Sequence, residues 1–140
     1  MYAIVGASLN ARHSSALRSL AATPKSRVEA EELRSSAFDA LGIVRLDGFA
    51  DTRAELLDGF QQRLLMLASA VAARPRLLLL DEPSAGAAVA DVHHLAEILG
   101  DVRASGISLV VVEHNLPFVR TVADRVIVMA DGRGQDESLS

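Results

Sequence analysis

The pattern of apolar and polar positions predicts two unequal parts, a helical part over residues 1–74 and an α/β part over residues 75–140. In the first part, apolar residues recur three or four positions apart, as at Ala37 and Leu41, which places them on one face of a helix. This helix is predicted to stop at Gly42, because glycine is common just past the last helical turn.

Two further segments complete the predicted helical part. A helix is predicted over residues 60–74, and it ends before Pro75 because the residue before a proline disfavours helical backbone angles. Residues 1–12 could form another helix or its frayed end. The stretch over residues 19–27 is expected to be weakly structured.

The second part alternates strands with helices. Four successive leucines over residues 77–80 suit a strand that is buried on both faces, as in the middle of a parallel sheet. A helical stripe then leads to Gly106, and residues 107–112 form a second apolar run, rich in β-branched residues. A third strand is predicted over residues 125–130. Strands separated by helices imply right-handed βαβ units and a parallel sheet of three strands.

Local signals refine the end of the chain. Asn115 can cap a short helix that has Pro117 in its first turn. The pair Asp131 and Gly132 signals a turn that closes the third strand. The polar tail after this turn is expected to be weakly structured.

Candidate chemistry lies at the predicted carboxyl ends of the first two strands, where open α/β sheets bind ligands. Asp81 and Glu82 follow the first strand, and Glu113 and His114 follow the second. Asp81 could hold Mg²⁺ through water, since this ion keeps part of its hydration shell. Glu82 could polarise a water for attack on a phosphate, and His114 could hydrogen-bond a terminal phosphoryl group.

Each of these residues has a plainer interpretation. The Asp81 and Glu82 pair, followed by Pro83, could simply mark a buried strand entering a turn. A single histidine after a strand, such as His114, is more often structural or exposed to solvent. The two features in this order make coincidence less plausible than either feature alone.

Composition excludes several classes of function. The net charge is −4 and no basic stripe or aromatic platform is present, so nucleic-acid binding is not expected. The chain has no cysteine, which excludes disulfides and thiolate metal sites. No apolar run approaches the ~18 residues of a transmembrane helix, and no basic segment precedes the first residues as in a signal peptide.

The sequences LLLLDEPSAG and VVVEHN, in this order, resemble the second half of an ABC transporter ATP-binding domain. The resemblance covers residues 30–133 and is closest to the subunits of branched-chain amino-acid importers, because Phe118 and Val119 follow the VEHN motif. It implies a partial P-loop NTPase fold, with a helical subdomain before a small parallel sheet with flanking helices. The implied cofactors are ATP and Mg²⁺.

The resemblance also implies roles for individual residues. Asp81 would be the Walker B aspartate associated with magnesium, Glu82 the catalytic glutamate and His114 the switch histidine. The sequence LDGFQ, with Asp58, Gly59, Phe60 and Gln61, would occupy the position of the signature loop, which in the family contacts the nucleotide bound by the opposite subunit.

Departures from the family pattern limit these expectations. No G-x-x-x-x-G-K-[ST] occurs in the chain, so the loop that cradles phosphates is not in this sequence, and a truncated domain is expected. In the signature loop, Asp58 replaces the usual serine and Phe60 replaces a glycine. Asp58 and Gln61 can instead form an ordinary helix cap without any nucleotide.

Two hypotheses of function follow. In the first, the chain is part of an ABC ATPase subunit that works with membrane permease subunits and a second ATP-binding subunit. It would lie in the cytoplasm at the inner face of the cell membrane and couple ATP hydrolysis to solute transport. In the second, it is a non-catalytic remnant or a module that binds a permease without ATPase activity.

Overall fold

The structure, a computed structural model, describes residues 24–137. Its helices and strands follow one another in the order α1 (Pro24–Ile43), α2 (Gly59–Ala72), β1 (Leu77–Asp81), α3 (Val89–Ala104), β2 (Ser108–Val112), α4 (Leu116–Val122), β3 (Val126–Ala130) and β4 (Arg133–Glu137). Two short 3-10 turns lie between α1 and α2. The possible helix over residues 1–12 lies outside the described residues, as do residues 19–23 of the stretch expected to be weakly structured. For residues 24–27 of that stretch the expectation is wrong, because they form the first turn of α1.

The two helices predicted for the first part are present with small shifts at their ends. Helix α1 continues to Ile43, one residue past the predicted stop at Gly42. Helix α2 ends at Ala72 rather than at Arg74, because Arg74 adopts a φ of +49° that breaks the helical path before Pro75.

Strands β1 and β2 form a parallel pair in which Leu79 lies opposite Val110 and Asp81 opposite Val112. The inner face of this pair packs against the core through Leu78 and its neighbours, while the outer face is exposed, with Leu79 73% accessible. The prediction that both faces of the first strand are buried is therefore wrong for the described residues. Apolar composition alone does not specify which layer covers a face.

The third predicted strand does not join the parallel pair. It forms β3, which pairs antiparallel with β4 in a separate two-stranded sheet. The loop between them has two residues, Asp131 and Gly132, with φ of +50° and +73°. Positive φ at both positions is the geometry of a tight hairpin turn, so the chain folds straight back. The expectation of a weakly structured tail after Asp131 is also wrong over Arg133–Glu137, which is a strand, and residues 138–140 lie outside the described residues.

One hydrophobic core joins the helices to the sheet. Its most deeply buried side chains come from the turn directly after α1 and from α2 and α3, namely Val44, Leu64, Leu95, Ile98, Leu99 and Val102. The core draws on residues from both sides of the predicted boundary at residue 74, and that boundary stays a prediction. Helices α2 and α3 therefore support the sheet from one side and fix where its carboxyl ends lie.

Candidate functional site

The carboxyl ends of β1 and β2 meet as the sequence predicts. The N–H of Glu82 donates to the carbonyl of Val112 at 2.9 Å, which extends the parallel pairing by one step. Beyond this step, Nδ1 of His114 lies 3.5 Å from Oε1 of Glu82, and both side chains are exposed. Asp81, Glu82 and His114 thus share one accessible edge of the sheet.

Glu82 has an unusual backbone. Its φ of +44° lies in the left-handed region, which costs a residue other than glycine about 1–3 kcal/mol. The turn that follows is closed by the N–H of Ala85, which donates to the carbonyl of Glu82 at 3.0 Å. Strained residues persist where surrounding contacts hold them, and they cluster at functional sites, so this conformation marks Glu82 as a candidate functional residue.

Glu113, the first residue after β2, has a side chain that is fully buried, with 0% exposed. Its Oε1 accepts hydrogen bonds from the Ser84 amide (2.9 Å) and the Ser84 hydroxyl (2.5 Å). Its Oε2 accepts from the amides of His114 (3.0 Å) and Asn115 (3.2 Å). Burial raises the pKa of this carboxyl, but the bonds from Ser84, Asn115 and His114 outweigh it and the pKa of Glu113 is lowered.

Residues 58–61, predicted to occupy the position of the signature loop, form the start of α2. Oδ1 of Asp58 accepts from the amide of Gln61 at 2.8 Å, and Oε1 of Gln61 accepts from the amide of Asp58 at 3.0 Å. This is a complete capping box, so the predicted helix cap is confirmed. Between them, Gly59 is the first residue of α2, and the ring of Phe60 lies 5.9 Å from that of His94.

Sequence reasoning missed three residues that tie the strand ends together. Nη1 of Arg63, on α2, donates to the carbonyl of Pro83 at 3.2 Å and so joins the helix to the turn after β1. Ser84 is buried although it is polar, and Glu113, though noted at a strand end, was given no role. The available signal for Glu113 was an ionisable residue directly after an apolar strand.

Asp81 is the residue here best suited to a magnesium ion. Its side chain is exposed at the end of β1, and Mg²⁺ commonly takes one or two carboxylates together with waters and substrate phosphates. Within residues 24–137, no group of three or more acidic, histidine or cysteine side chains is placed to hold a metal. A magnesium ion held by Asp81 would therefore need water or phosphate for its other ligands.

A cavity of about 330 Å³ lies at the opposite edge of the sheet, where Arg76 and Ile107 precede the two strands. Asp39, Arg74 and Ser105 also line it, and it includes none of the candidate site residues. None of the helices in the described part of the chain has the length and hydrophobicity that a membrane span requires.

The chain is similar to several known proteins, although no protein-family model matches it. It is 37% identical over 102 residues to the cobalt import ATP-binding protein CbiO of Rhodobacter capsulatus, covering 73% of this chain and 36% of the relative. It is 35% identical over 115 residues to the probable branched-chain amino acid transport ATP-binding protein LivG of Archaeoglobus fulgidus, covering 79% and 45%.

The chain is also similar in structure to solved ATP-binding cassettes of ABC transporters. MJ1267, an ATP-binding cassette of an ABC transporter in its ADP conformation, matches with a TM-score of 0.73 and 27% identity over 96% of this chain and 52% of that chain. The chain thus spans about half or less of the length of the proteins it matches. Over that length it has the P-loop NTPase fold of ABC ATPase cassettes, and its relatives show an ABC transporter ATP-binding domain.

Proposed function

We propose that the chain supplies the hydrolytic residues of the ATP site in an ABC transporter ATP-binding subunit. The observation that carries this proposal is the placement of His114 3.5 Å from a strained Glu82 at the end of β1. Glu82 acts as the general base that orients and deprotonates the attacking water. His114 donates a hydrogen bond to the terminal phosphate.

ATP and Mg²⁺ are the cofactors of this proposal. Asp81 would hold the ion, mostly through water, and the ion would neutralise charge on the phosphates. The residues of the degenerate signature loop, Asp58 to Gln61, would face the nucleotide of a second ATP-binding subunit. Since the sequence has no phosphate-cradling motif, residues 1–140 alone are expected to hydrolyse ATP barely or not at all.

A fusion protein tests the roles of these residues. In this fusion, the chain follows the first half of the Archaeoglobus LivG relative. By the family pattern, that half is expected to contain the phosphate-binding loop. Magnesium-dependent ATP turnover should appear and fall at least about a hundredfold in Glu82→Gln, the scale of a lost general base. Glu97→Gln, the same change in an exposed side chain on α3 that pairs with Arg45 outside the candidate site, is the matched control. Equal turnover in the two variants, with nucleotide still bound, would contradict the proposal.

For the transported solute, we propose branched-chain amino acids, with membrane permease subunits as the partners. The VEHN motif and the LivG relatives support this branch, although the cobalt-import relative is about equally similar. Disruption of the gene should lower uptake of labelled leucine and leave cobalt uptake unchanged. The reverse result would assign the chain to the cobalt branch.

A second candidate function is that of a permease-binding module without ATPase activity. The absence of the phosphate-binding motif from the sequence and the exposed apolar outer face of β1 and β2 favour it. Co-purification with permease subunits, equally strong with and without ATP, is the result that supports this candidate. Binding that requires ATP favours the hydrolytic proposal instead.

A further inference from the structure

At this edge of the sheet, Asp81 and Glu82 are exposed, whereas the side chain of Glu113 is fully buried, with 0% exposed. A buried charge is costly unless hydrogen bonds or an opposite charge compensate for it. Among the described side chains, His114 alone lies within ion-pair distance, with Nδ1 3.9 Å from Oε2 of Glu113. Four hydrogen bonds to its two carboxylate oxygens compensate for this burial.

These bonds come from two separate loops. Oε1 takes both of its donors from Ser84, which lies two residues after Glu82. Oε2 takes its donors from the backbone of His114 and Asn115. One carboxylate thus joins the turn that holds Glu82 to the turn that holds His114.

The surroundings make this link rigid on both sides. On the first side, Pro83 is also fixed by Arg63 of α2, so the turn after β1 is held at two adjacent residues. On the second side, Oδ1 of Asn115 accepts from the amide of Phe118 and caps α4, and Phe118 is buried in the core. The Glu113 side chain joins these two anchored turns beyond the last backbone bond of the parallel pair, from Glu82 to Val112.

We propose that Glu113 is a positioning residue that sets the spacing between Glu82 and His114 by holding both turns on one buried carboxylate. Glu113 touches neither nucleotide nor water in this proposal and acts only through the other two residues. The inference rests on the proposed function for its importance in ATP hydrolysis. The link itself is a property of the chain and can be measured without nucleotide.

Glu113→Gln breaks the link with little change in shape. Each carboxylate oxygen of Glu113 accepts from the donors of one turn, whereas a glutamine amide has only one accepting oxygen. Its NH2 group would face the N–H donors of the other turn, so that turn loses its hydrogen-bond acceptor. Amide hydrogen exchange at Ser84, or at His114 and Asn115, should rise about tenfold or more, as expected for a lost bond to a charged group. The nuclear Overhauser contact between the His114 ring and the Glu82 side chain should disappear.

Ser84→Ala is the milder variant if Glu113→Gln fails to fold. It removes only the hydroxyl donor, and the account expects the His114 and Asn115 amide signals to shift although the change is in the other turn. Glu97→Gln should leave all these signals in place. An unchanged contact between Glu82 and His114 in Glu113→Gln, or unmoved His114 signals in Ser84→Ala, overturns the inference.

The fusion protein separates this inference from the proposed function. There, Glu113→Gln should lower kcat about tenfold with the KM for ATP within about twofold, because positioning matters in the transition state rather than for binding. A residue that only stabilises the fold would leave kcat per folded molecule unchanged. If Glu82→Gln abolishes turnover and Glu113→Gln does not lower kcat, the proposed function stands and this inference fails. If Glu82→Gln has no effect, the proposed function fails first.

Discussion

The two faces of the β1 and β2 pair consist of similar apolar residues but meet different surroundings. On the inner face, Leu78 is 9% exposed and packs in the core with α2 and α3 behind it. On the outer face, Leu79 is 73% exposed and Val110 is 48% exposed. Strands that are apolar on both faces are typical of parallel sheets with a layer on each side. The described part of the chain supplies one of these layers.

The largest expected effect tests the inner face against the outer one. Leu78→Ala should lower the free energy of unfolding by about 2–5 kcal/mol, because it removes buried methyl groups and leaves a cavity. Leu79→Ala, the neighbouring residue of the same strand, should change it by less than about 1 kcal/mol, because its side chain is already exposed. Urea unfolding followed by circular dichroism measures both, and equal losses would remove the distinction between the faces.

The stability of the folded chain should depend on pH through Glu113, which directly follows β2. Because the pKa of Glu113 is lowered in the folded chain, its stabilising contribution is fully present above the ordinary value of 4.5 and is lost as the pH falls through the folded pKa. The difference in the urea midpoint of unfolding between the natural chain and the Glu113→Gln variant should therefore become smaller as the pH falls below 4.5. A difference that stays constant with pH contradicts this assignment.

The capping box of Asp58 and Gln61 begins α2, a helix of the core behind the inner face, and lies at the predicted position of the signature loop. Asp58→Ala should lower the free energy of unfolding by about 1 kcal/mol, because α2 loses the acceptor for its Gln61 amide. Asp58→Ser, which restores a capping side chain and the residue usual in the family, should keep most of the stability. If Asp58→Ser in the fusion also strengthens nucleotide binding, the loop serves both purposes. A full loss of stability in Asp58→Ser would contradict the cap.

The smallest effect on stability is expected on the outer face. Leu79→Thr keeps a residue that favours strands and should change the free energy of unfolding by no more than about 0.5 kcal/mol. It should reduce self-association of the purified chain, since exposed apolar sheet surface promotes pairing between chains. Sedimentation velocity compares the self-association of the Leu79→Thr variant with that of the natural chain. Unchanged self-association would mean that the outer face does not drive it.

Local signals in the sequence predicted much of the fold and of the site. The two strands of the parallel pair, the cap at Asn115 and the α/β class are confirmed. The proximity of Glu82 and His114 was predicted because parallel strands end at the same edge of a sheet. These features depend on residue types that are close in sequence or on a general rule of sheet topology.

Other features depend on contacts that residue patterns do not encode. Asp131 and Gly132 were identified as a turn, but positive φ at both positions, and thus the hairpin, is visible only in the backbone. The bond from Arg63 to Pro83 and the two bonds from Ser84 to Glu113 join residues that are distant in sequence. The exposed outer face depends on which layers surround the sheet. The roles of Asp81, Glu82 and His114 in catalysis stay predictions.

The most direct test of the central claim is magnesium-dependent ATP turnover by the purified chain of residues 1–140, measured beside its Glu82→Gln variant. The chain is proposed to carry the hydrolytic residues, while its sequence has no phosphate-binding motif. We therefore expect both proteins to show only background turnover. Clear magnesium-dependent turnover by the natural chain, lost in Glu82→Gln, would contradict this expectation, because hydrolysis would then not require the phosphate-binding loop.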